Sequence, residues 1–72
     1  MAMWVKIDSY SIVVTMDAGD IITDDPENPK DQFEIQSINM GFIKALHSYG
    51  RTALKIFPES ELINNWWVNK QV

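Results

Sequence analysis

Phe33-Glu34-Ile35-Gln36-Ser37-Ile38-Asn39-Met40-Gly41-Phe42-Ile43-Lys44-Ala45-Leu46-His47-Ser48-Tyr49 is the stretch whose conformation decides the fold. At 100° per residue, Ile35, Ile38, Phe42, Ala45, Leu46 and Tyr49 gather on one side. Glu34, Ser37, Gly41, Lys44 and Ser48 fall on the other. Gly50 follows where a helix end favours a residue free to take positive φ, and Lys44 and His47 lie near the negative end of the helix dipole. Local propensity opposes this. Gly41 in mid-segment costs ~1 kcal/mol against alanine, and Ser37, Asn39 and Ser48 are poor interior helix residues. The competing arrangement is a strand 33–38, a turn at Asn39-Met40-Gly41, and a hairpin 42–48/52–57 around Tyr49-Gly50-Arg51. Six stripe positions and both termini agree on the helix, so a helix over 33–49 is the expectation.

Upstream, residues 3–16 are rich in β-branched and aromatic types, with Val5 and Ile7 alternating with Lys6 and Asp8. They predict one long strand, or two meeting near Asp8-Ser9. Asp17-Ala18-Gly19-Asp20 supplies a turn, and Ile21-Ile22-Thr23 is short enough for an extra strand. Asp24-Asp25-Pro26-Glu27-Asn28-Pro29-Lys30-Asp31, with two prolines and four acids, is an exposed loop. Its end resembles a helix start, with Asn28 as cap and Pro29 at the first helical position.

Downstream, Thr52 to Phe57 reads as a strand and Pro58 to Asn65 as one short helical turn. Trp66-Trp67-Val68 reads as a last strand and residues 69–72 as a tail. The sum is one α+β domain over residues 1–72, a small antiparallel sheet covered by one amphipathic helix in the order ββ(β)αββ. The alternative is an all-β, five-stranded small barrel of SH3-like type.

Seventy-two residues lie near the lower size limit for a core that folds alone, and such a domain buries only ~60 % of its unfolded surface. Self-association is one way to recover stability, so a homo-oligomer is expected. Cysteine is absent, which excludes disulfides and thiolate chemistry. The start, Met1-Ala2-Met3-Trp4-Val5-Lys6, lacks the pattern of a secretory leader, and no apolar run approaches the ~20 residues that span a bilayer. A cytoplasmic protein with no membrane contact is the expectation. The net charge of −4 is uneven: residues 1–34 carry −6 and residues 35–72 carry +2. The acidic half disfavours nucleic acid and suits a solubilising surface or a basic partner.

Catalytic constellations are hard to assemble. His47 stands alone, no nucleophile-elbow or glycine-rich phosphate motif occurs, and the Asp24/Asp25 and Glu59/Glu61 pairs sit in polar sequence. Six acids crowd residues 17–31 but lack the order of a calcium loop, so no metal and no cofactor are expected. Recognition chemistry remains. Neighbouring residues of a strand point to opposite faces, so one of Trp66 and Trp67 can join the core while the other faces solvent or a partner.

The sequence therefore predicts a non-catalytic, self-associating interaction protein that docks on a protein partner through Trp66, Trp67, Tyr49, Arg51, Asp24 and Asp25. Small chains of this kind include accessory and inhibitory factors of viruses and mobile elements, an association by type alone. The alternative is a small-ligand or nucleotide-binding module, with Trp66 stacking on a base while Arg51, Lys44 or Lys55 meets a phosphate.

Overall fold

In a computed structural model that describes residues 2–28, 30–47 and 53–71, the decisive stretch is a β-hairpin. Strands β3 (Gln32–Asn39) and β4 (Phe42–His47) pair antiparallel, with Met40-Gly41 as a two-residue turn. The expected helix over 33–49 is therefore wrong as far as the described residues reach, and the competing strand pair is what forms. Burial alternates with period two: Phe33, Ile35, Ile43 and Ala45 point inward, whereas Glu34, Phe42 and Lys44 point outward. A register shift between Ile35 and Ser37 leaves Gln36 as an extra residue opposite no partner. Inward positions then run 33, 35, 38, and that three-residue step imitates a helical stripe. β-Branched content and the turn at Gly41, whose φ is +89°, outweigh the periodicity.

The remaining strands complete a six-stranded antiparallel sheet in the order β1-β6-β2-β3-β4-β5. They are β1 (Ala2–Lys6), β2 (Ile21–Thr23), β5 (Leu54–Pro58) and β6 (Trp67–Gln71). Among the described residues β1 and β5 are edges, so the sheet has six strands and not the five of the barrel alternative. The expected tail is corrected too: residues 69–71 continue β6, paired to β1 from Ala2↔Gln71 to Lys6↔Trp67. The described residues are mostly β, with two helices of four residues each among them, α1 (Tyr10–Val13) and α2 (Glu59–Leu62).

The second half of the β-rich N-terminal segment is α1 and not a strand. Ser9 is extended and the chain turns after it, putting Val13 into the core. The Thr15 hydroxyl then bonds back to the Ile12 carbonyl at 2.7 Å, a local alternative to further helix. α2 follows Pro58 as expected, with Glu59 and Glu61 in its first turn and Leu62 fully buried. It stops at Asn64, which takes φ +67°, a conformation asparagine tolerates better than most residues, while the Asn65 amide bonds the Glu61 and Ile63 carbonyls at 3.2 Å. Asn28 starts no helix. It makes turns instead, accepting from the Lys30 N–H at 3.0 Å and donating to Asp31 Oδ2 at 3.0 Å. Pro29 lies outside the described residues.

All core residues lie on one face of the sheet or on the segments that cover it. Ile7, Ile22, Ile35, Ile43 and Val68 come from or beside the strands; Val13, Met16 and Leu62 come from the α1 and α2 segments. At one end of this face Phe33, Phe57 and Trp66 meet edge to face, with centroids 4.8–5.7 Å apart.

Hairpin and helix predict opposite costs for two neighbours. Ile43→Ala should lower stability by ~2–5 kcal/mol, because Ile43 is fully buried, whereas Phe42→Ala should cost under ~1 kcal/mol. Urea denaturation followed by tryptophan fluorescence measures both. The reverse order would restore the helix, whose stripe contains Phe42 and excludes Ile43.

Candidate functional site

Because the core occupies one face, the second face of β4 and β5 has no covering layer among the described residues. Phe42, Leu54 and Ile56 point out from it and are 54 %, 49 % and 63 % exposed. The register sets Phe42 against Pro58, Lys44 against Ile56 and Leu46 against Leu54, so these six form one contiguous patch. An antiparallel sheet with one solvated face normally alternates apolar with polar, and this one carries apolar residues on both faces. Glu34, paired with Leu46 on β3, brings an acid to the rim of the patch, and Lys44 brings a base to its middle.

The farther half of the same outer face holds Trp67 on β6, with the Lys6 ammonium 4.1 Å from its ring centroid. Thr23, also on this side, is completely buried, because the acidic loop folds onto it. Its hydroxyl donates to the Asp31 carbonyl at 2.5 Å and accepts from the Asp25 N–H at 3.1 Å. Inside the loop, Asp25 Oδ1 accepts from the Glu27 N–H at 3.1 Å. The carboxylates of Asp25 and Asp31 thus hold the turn of their own loop, and Asp24 is left exposed to solvent.

The residues expected to act together are dispersed. Trp66 is 8 % exposed and belongs to the aromatic cluster, so it offers no free ring to a partner or a base. Trp67 is the half-exposed one of the pair, as strand alternation requires. Lys44 leaves the outer face, whereas Lys55 leaves the inner one and sets its ammonium 5.8 and 5.9 Å from the Phe33 and Phe57 rings. The two lysines therefore leave opposite faces of the sheet, and a phosphate would be met by one of them without the other. Tyr49 and Arg51 lie outside the described residues. His47 is no helix-end residue; it packs edge to face on Phe33 at 4.8 Å.

Sequence reasoning passed over a groove of ≈ 490 Å³ at the opposite end of the inner face. Val13, Met16 and Ile38 form its floor, and Tyr10 and Met40 stand at its sides. Asp17 and Glu59 are the acids that line it, and among the described residues no Lys, Arg or His does. Met40 is 98 % exposed at φ +35°, in the first position of a turn whose two central residues both have positive φ. Asn or Gly is the usual choice there, and a methionine in that region costs ~1–3 kcal/mol. The sequence signal was the triplet Asn39-Met40-Gly41, a hairpin turn with an apolar side chain at its tip.

No family model matches this chain, and no curated protein or solved structure matches it. No helix among the described residues is long and apolar enough to cross a membrane.

Met40→Asn should raise stability by ~0.5–1 kcal/mol, since asparagine relieves the positive-φ strain and gives the preferred Asn-Gly hairpin pair. Chemical denaturation checks it; an unchanged or lowered midpoint would show that the turn is unstrained.

Proposed function

We propose that this chain is a non-catalytic interaction protein that self-associates through the outer face of β4 and β5 and docks on a protein partner. The observation that carries the proposal is the uncovered row of Phe42, Leu54 and Ile56. Contiguous apolar exposure of this kind marks an interaction surface more often than scattered single residues do.

A second copy is the occupant that fits this face. Edge-to-edge pairing through β5 is opposed, since β5 carries Lys55 pointing inward and ends in Pro58, two devices that blunt an edge strand. Face-to-face packing is not opposed. Only an isologous contact whose two-fold axis runs midway between Lys44 and Glu34 would pair each with the other across the interface. A standard interface takes about 800 Å² from each partner, roughly a sixth of the 4624 Å² this molecule exposes. Burying the exposed halves of three large apolar side chains yields ~1 kcal/mol each. With both copies contributing, the total of ~6 kcal/mol only meets the low end of an association cost of ~4–15 kcal/mol, so the patch by itself supports a weak, transient dimer far from micromolar. The docking role draws on the same absence of a convergent catalytic group in the sequence, and a cytoplasmic setting belongs to this proposal.

Sedimentation velocity over a concentration series tests the self-association. The sedimentation coefficient of the wild type should rise with concentration, and Ile56→Lys should hold it at the monomer value. Ile56 is exposed, so the fold tolerates the change. A wild type that stays monomeric to millimolar concentration, or an Ile56→Lys variant that still dimerises, would refute the assignment of this face.

A further inference from the structure

We propose that the groove between α1 and the β3–β4 turn is where this protein takes its partner, and that the partner presents a basic segment carrying at least one large apolar side chain. The assignment rests on the interaction-protein function and is independent of self-association, which uses the other face of the sheet.

Three observations converge on this groove. The first is shape and polarity: ≈ 490 Å³ over a floor of Val13, Met16 and Ile38 lies within the usual range for a binding cleft and suits an aliphatic or aromatic side chain. The second is charge. Asp17 and Glu59 line the groove, and among the described residues no hydrogen bond or ion pair engages either carboxylate. Lys70, held against the α1–β2 connection, is already committed to Asp20 Oδ2 at 2.9 Å and the Thr15 carbonyl at 2.8 Å. Both carboxylates are therefore open to a cation that a ligand brings. Exposed carboxylates of this kind also steer a basic partner toward the site.

The third observation is Met40. A side chain that is 98 % exposed, apolar and held at φ +35° works against folding on two counts. Strain retained at one position with no contact in the free protein points to a role in recognition. Methionine is the adaptable apolar residue that promiscuous peptide-binding surfaces use. Tyr10, 57 % exposed across the groove, adds a ring face for a guanidinium or ammonium and a hydroxyl for a backbone carbonyl. An acidic peptide, a nucleic acid or a free phosphate would meet like charge at both carboxylates.

The test is selection of a random twelve-residue peptide display library on the wild-type protein. Enriched peptides should carry Lys or Arg beside Leu, Ile, Met or an aromatic residue. One of them, synthesised, should shift the backbone amides of residues 10–17, 40–41 and 59 in a heteronuclear NMR titration. Its affinity should fall at least tenfold on D17N/E59Q and at least threefold on M40N, which is expected to fold as well as the wild type or better. Peptides that map to the outer face of β4 and β5 would overturn the groove and leave the interaction function standing. Enriched peptides lacking basic residues, an affinity unchanged by D17N/E59Q, or the absence of any enriched peptide would each overturn the proposal. Self-association, read by sedimentation, is untouched by all three.

Discussion

Strand β2 is three residues long, and everything else depends on it. Ile22 pairs with Phe33 of β3 on one side and with Val68 of β6 on the other, and it is fully buried. Without this short ladder the β3-β4-β5 meander and the β1-β6 pair are separate two- and three-stranded pieces, of a size at the margin of independent stability. Thr23 closes the joint. Its hydroxyl, on a fully buried residue, bonds the backbone of the acidic loop at Asp31 and Asp25, and an unmet hydroxyl there would cost ~1–3 kcal/mol. The loop that the sequence marks as a charged surface is therefore also the clasp of the sheet.

One-sided covering follows from chain length. Two helices of four residues each and the segments around them suffice to cover a single face. The other face is left with Phe42, Leu54 and Ile56 in water. Small size, apolar residues on both faces and an edge strand guarded by Lys55 and Pro58 are consistent with a chain whose surplus apolar surface is spent on contact between molecules and not within one. The groove at α1 is a separate consequence of the same economy, since α1 ends after one turn and leaves Tyr10 and Val14 exposed beside it.

Much of the local structure is legible in the sequence. The Gly19 turn, the β2 strand, the acidic loop and the helical turn after Pro58 all follow from turn chemistry and proline placement, which act over a few residues. The β3–β4 hairpin is not legible by periodicity, because the extra residue at Gln36 converts a two-residue spacing into a three-residue one. Deciding between strand and helix there needs the sheet that β2 and β5 provide on either side. Of the candidate site, alternation correctly divides Trp66 from Trp67, but which of the two is inward depends on the register of β6 with β1 and β2. Lys44 and Lys55 lie in the basic half of the chain, and the register of β4 with β5 puts them on opposite faces. Met40, which reads in the sequence as a turn residue and a gap-filler, fills no gap: it is 98 % exposed at positive φ, which only the backbone conformation reveals.

Residue-resolved amide hydrogen exchange on dilute protein is the most direct test of β2 as the joint. The amides of the β2–β6 and β2–β3 ladders should exchange only by global unfolding, with the same free energy as those of the β3–β4 hairpin. If the amides of β1, β2 and β6 exchange at a markedly lower free energy than those of β3 and β4, the β1-β6 pair is a loosely docked flap. The joint would then not be what the structure depends on.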